Sequence, residues 1–208
     1  MKRFSAPLAS FSAVATLLLA AIPAQAHGSA GAGLAGGGLA GGLMHPLMGL
    51  DHLLMLLAVG AVGAFISPAL LGWALGGALV GGMVGSSLAS FGLNLPAGEL
   101  LAALAIVALG IVIFASAKGR SITFTPALVA LGVSFHSMLH GLEVPQDGSS
   151  LGWWMGALAA SALVAGCSYG VCKYFANRGI TRLAIPVAVG FTLSGVILSG
   201  LALASGGI

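Results

Sequence analysis

Two short stretches hold every histidine of this chain except His27: His45-Pro46-Leu47-Met48-Gly49-Leu50-Asp51-His52, and Phe135-His136-Ser137-Met138-Leu139-His140-Gly141-Leu142-Glu143. Both lie in otherwise apolar sequence. A charged side chain in a bilayer costs about 2.5 to 3.5 kcal/mol on insertion scales, so ionisable residues kept there point to function. Neutral imidazole combined with carboxylate suits borderline divalent cations such as nickel, cobalt and zinc. The candidate ligands are therefore His45, Asp51, His52, His136, His140 and Glu143.

On a helix, His136 and His140 are four apart and Glu143 is three further on, which puts all three along one face. A single membrane His is explained by a hydrogen bond to a neighbouring helix; two stacked with a carboxylate are better explained by chelation. In the first stretch, His45 and His52 share a face, but seven residues at 1.5 Å each separate their backbones by about 10 Å. Two readings follow. Either Pro46 and Gly49 loosen the helix so that both reach one ion, or His45 is an outer ligand and Asp51/His52 a deeper one. Sorting by depth gives an outer layer of His45, His140 and Glu143 and an inner layer of Asp51, His52 and His136, one to two turns further in, down which an ion could step.

These residues must be positioned by membrane helices. The chain is 59% hydrophobic and 5% charged, with mean hydropathy +1.12, far from the roughly 25% charged residues of soluble domains. The expected fold is all-α, a polytopic membrane helix bundle surrounded by lipid. Residues 1–26 form the tripartite pattern of a signal peptide, with Lys2 and Arg3, an apolar stretch and Ala24-Gln25-Ala26 at the cleavage site. Residues 27–42 read as a Gly/Ala-rich periplasmic lead. Residues 43–208 hold six apolar segments, at 43–66, 70–91, 99–117, 124–142, 151–175 and 183–204, each long enough to span.

With the mature N-terminus exported, Lys118, Arg120, Lys173, Arg178 and Arg182 all fall in cytoplasmic loops, as the positive-inside rule expects. Glu99, Glu143 and Asp147 then form an acidic outer rim that concentrates cations. Trp153 and Trp154 read as interfacial anchors. The 34 glycines recur at spacings such as Gly72/Gly76, Gly77/Gly81 and Gly81/Gly85; these read mainly as packing devices within the chain, and secondarily as a homo-oligomer contact. Ser86, Ser87, Ser90 and Asn94 read as interhelical hydrogen-bonding groups. Cys167 and Cys172 read as packing residues rather than a disulfide framework.

The net charge of +3 and the lack of a basic run with interleaved aromatics exclude a nucleic-acid partner. No Gly-x4-Gly-Lys-Ser/Thr occurs, so ATP hydrolysis is unsupported, and neither His-Glu-x-x-His nor Gly-x-Ser-x-Gly marks a hydrolase. The chain is not read as an enzyme. Two alternatives stay open: haem b held between histidines of the first and fourth spans, and copper, whose thioether ligands Met44, Met48, Met55 and Met138 could supply.

The chain resembles the HupE/UreJ family of nickel permeases. The resemblance rests on the exported N-terminus, on the first-span motif spelled by His45, Pro46, Asp51 and His52, and on Phe135, His136, His140, Gly141 and Glu143. It implies secondary uptake of Ni²⁺, with Co²⁺ the next candidate, across the bacterial inner membrane, a supply of metal to hydrogenase or urease, and a requirement for these residues. No resident cofactor is implied. Relatives richer in histidine after the cleavage site would capture metal outside; this chain has only His27 there.

Overall fold

In lipid every backbone N–H and C=O must be satisfied within the segment, so long apolar runs fold as helices. The computed structural model, which describes residues 37–205, has α1 (Gly38–Met48), α2 (Leu50–Phe65), α3 (Ala69–Ser90), α4 (Gly98–Ala117), α5 (Thr125–Glu143), α6 (Ser150–Asn177) and α7 (Ala184–Ala204), with a 3-10 turn at Thr181–Leu183. Among the described residues there is no strand. The signal peptide, His27 and most of the Gly/Ala-rich lead lie outside them. α4 and α6 end alike: Gly119 (φ 73) and Gly179 (φ 76) adopt the left-handed conformation that lets the next residue's N–H reach back to the last turn.

Helices α3, α4 and α6, and α7 with its preceding turn, are each long and apolar enough to cross a membrane, and α1 plus α2 would count as a fifth span taken together. The bundle is thus an all-α polytopic one with four to five spans by length and apolarity. The 19-residue α5 is about 28 Å long at 1.5 Å per residue. Its hydropathy is lowered by His136, His140 and Glu143.

The expected single helix over 43–66 is two helices, bent by 81°. Pro46 lies inside α1, where it removes an N–H from the helical ladder, and Gly49 then takes an extended conformation (φ −98, ψ 126) before α2 begins. The expected lead is also shorter than the sequence suggested. Gly38–Gly42 are helical, and Gly41 and Gly42 are buried, because α1 docks on α6 so closely that a Cβ on Gly42 would overlap the Trp153 carbonyl. The Ser149 hydroxyl accepts the Gly38 N–H at 3.1 Å and donates to Asp147 at 2.6 Å, fixing the start of α1 to the loop before α6.

Close glycine contacts set helix direction. Along α3, Gly77, Gly81 and Gly85 press on the carbonyls of Ala130, Ser134 and Met138 of α5, rising in step, so the two helices run parallel. Gly110 of α4 meets Ala188 and Thr192 of α7 while Gly195 meets Ala103 and Val107, an antiparallel pair. Gly72 and Gly76, by contrast, face open space, so this pair is not used for packing within the chain. A main core of Met55, Val62, Ile106, Leu109, Ile113 and Val129 joins α2, α4 and α5. The serines of α3 do not bridge helices as expected: Ser87 and Ser90 donate back to Met83 and Ser86 carbonyls one turn earlier. Cys167 and Cys172 are free thiols.

Candidate metal centre

His45 stands in the last turn of α1, Asp51 and His52 in the first turn of α2, and His136, His140 and Glu143 toward the end of α5. The bend at Gly49 turns the first pair toward α5, and all six side chains meet. His45 Nε2 lies 2.6 Å from His140 Nδ1, 3.3 Å from His52 Nε2 and 3.4 Å from Glu143 Oε2. His52 Nδ1 lies 2.9 Å from Asp51 Oδ2. The ring of His52 is 4.2 Å from that of His140 and 4.6 Å from that of His136, centroid to centroid.

Two groups result, each with one ligand atom per residue within 4.8 Å of the others: His45, His52 and His140, and Asp51, His52 and His136. His52 belongs to both. The loosened helix is therefore the arrangement found, rather than two histidines held 10 Å apart. Along α5 the layers keep a separation of one turn from His136 to His140 and two to Glu143, and they adjoin through the His52 imidazole.

An imidazole nitrogen has one lone pair or one N–H, so His45 Nε2 cannot satisfy three close polar neighbours with hydrogen bonds. One cation could serve the three histidines together, with the Glu143 carboxylate beside His45. Donors about 2.0–2.1 Å from a single ion lie roughly 3.3 Å apart in a tetrahedron; His45 and His52 stand at that separation, whereas His45 and His140, at 2.6 Å, are at hydrogen-bond distance. Asp51, by accepting from His52 Nδ1–H, would fix the tautomer that turns the Nε2 lone pair toward His45 and His140.

Burial grades across the cluster. His52 is 1% exposed and His136 4%, whereas the side chain of Glu143 is 29% exposed, so the carboxylate stands nearest the surface. α1 and α5 both end at the site, and their C-terminal carbonyls add partial negative charge favourable to a cation; Asp51 offsets the positive N-terminus of α2.

Trp153 is not the expected interfacial anchor. It is 3% exposed, with its ring 4.8 Å from that of His45 and 6.4 Å from that of His140. Nothing in its sequence position marks it, because its place depends on how α6 docks against α1. Of the methionines, Met55 is buried in the main core, while Met44 and Met48 are largely exposed.

The fold and cluster define a multi-pass helical membrane protein with histidines and carboxylates converging from two helices. The sequence matches the HupE/UreJ protein family over residues 15–204. It is 32% identical over 152 residues to Protein HupE of Rhizobium leguminosarum bv. viciae, covering 72% of this chain and 76% of that one. No solved structure matches. The chain belongs to the HupE/UreJ family, and that membership supports a nickel- or cobalt-permease type of role in general terms.

Proposed function

We propose that the protein is a secondary permease admitting Ni²⁺, with Co²⁺ its nearest competitor, across the bacterial inner membrane, and that His45, Asp51, His52, His136, His140 and Glu143 are the ligands along its path. The observation behind this reading is the sharing of His52 between two adjoining ligand groups. An ion held by His45, His52 and His140, with Glu143 beside His45, can pass toward Asp51 and His136 while keeping His52 as a ligand, so no step crosses a bare apolar interval. Several sites in contact favour capture without trapping. The mixed nitrogen and oxygen donor set suits nickel and cobalt, whereas copper(I) would want thioethers, and Met55 is engaged in core packing.

In this reading α5 is a sixth span, with the mature N-terminus and Glu143 periplasmic and the basic loops cytoplasmic. The metal delivered would serve hydrogenase or urease assembly. Haem b finds little support, since two axial ligands stand on opposite faces of a porphyrin, while His45 and His140 nitrogens are 2.6 Å apart. Radioactive nickel uptake into cells expressing the chain, competed by cobalt, copper and zinc, tests the reading. Saturable uptake competed best by cobalt is expected; uptake no greater than in cells lacking the chain would refute it.

A further inference from the structure

We infer that Trp153 is a positioning residue of the metal site, its indole forming the wall that holds the His45 imidazole in place; this rests on the metal-transport reading above. Indole offers only an N–H donor, so Trp153 is no ligand. Its placement follows from backbone packing. Gly42 of α1 lies against the Trp153 backbone, and Gly156, one turn on, lies against Leu39 and Leu43. His45 follows Gly42 by one turn of α1, so the indole has to lie alongside it. Trp154 packs beside it, its ring 5.3 Å from that of Trp153 and nearly perpendicular at 87°, with its far edge against Gly82 of α3. With Val144 and Ala157, these rings form a small apolar cluster separate from the main core.

Such a wall does two things. It keeps the His45 ring, tilted 55° to the indole, in the orientation that faces His52, His140 and Glu143. It also responds to loading, because an imidazole coordinated to a cation gains positive charge that the negative face of indole attracts. The contact should therefore strengthen metal retention more than it speeds passage.

The test uses the full chain purified in detergent, with NiCl₂ as the probe. Substituting Trp73→Phe and Trp154→Phe leaves Trp153 the sole tryptophan of the three in the chain. Its fluorescence should be quenched saturably by Ni²⁺, with the midpoint found independently by equilibrium dialysis. In cells, Trp153→Ala should raise the nickel concentration for half-maximal uptake about two- to thirtyfold with little change in the maximal rate, and Trp153→Phe should restore part of the loss. If Trp153→Ala fails to insert, Trp153→Phe and the quenching decide the matter. Nickel retained in dialysis without quenching, or wild-type half-saturation in the inserted variants, would overturn the role of Trp153 alone. Nickel uptake no greater than in cells lacking the chain would overturn the transport reading, and this inference with it.

Discussion

The Nε2 atoms of His45 and His52 stand 3.3 Å apart, although an unbroken helix would separate their backbones by about 10 Å. The 81° turn between α1 and α2 closes that gap, so the break at Gly49 belongs to the site as much as the histidines do. It brings the C-terminus of α1 and the N-terminus of α2 to one point, and α5 supplies the opposing wall.

That wall is held by α3. A side chain at Gly85 would drive into the Met138 carbonyl, midway between His136 and His140. Gly85→Val should therefore destabilise the protein by about 1–3 kcal/mol and reduce nickel uptake, whereas Gly72→Val, on an open face, should do neither. Thermal unfolding in detergent beside uptake in cells checks this. Equal tolerance of both substitutions would mean that the α3–α5 contact does not set the position of the histidines.

Much of this was legible in the sequence, and the limits are physical. His136, His140 and Glu143 declare themselves because helical spacing alone puts them on one face. His45, Asp51 and His52 are visible as residues, but their convergence is not: Pro46 near a helix start is ordinary, and the extended backbone at Gly49 is one that any residue can adopt. The helical start of α1 was hidden for a related reason. Glycines 38, 41 and 42 have poor helix propensity, and only contact with α6 makes that conformation favourable. Trp153 was misread because a tryptophan at the start of a span is as compatible with a headgroup anchor as with a buried wall.

Acid should weaken transport through the imidazoles. Protonated imidazole has no lone pair for a metal, so uptake should fall as external pH drops from 8 to 5. Asp147, outside the helices, behaves differently. The Ser149 hydroxyl, and next its backbone N–H, hold the Asp147 carboxyl below its ordinary value of 3.8. A lowered acid stabilises its arrangement above that value and loses the contribution only as pH falls below it, so the tether to α1 persists throughout this range. Asp147→Asn should leave the shape of the pH profile unchanged. With the proton gradient clamped, a flat wild-type profile would remove histidine from the pathway.

The orientation can be read by thiol labelling. In a background with Cys167 and Cys172 replaced, a cysteine at Asp147 should react with an impermeant reagent in whole cells, and one at Arg178 should react only after lysis. Reversed labelling would put Glu143 and its neighbours on the cytoplasmic side and make export the better reading.

The most direct measurement is radioactive nickel uptake by His52→Ala beside the wild type, at matched amounts in the membrane. His52 is shared by both ligand groups and is too buried, at 1% exposure, for water to replace it freely. Uptake at least about tenfold lower, in line with the loss when metal-site groups are removed, is the result expected. Wild-type uptake by His52→Ala would contradict a metal path through these histidines.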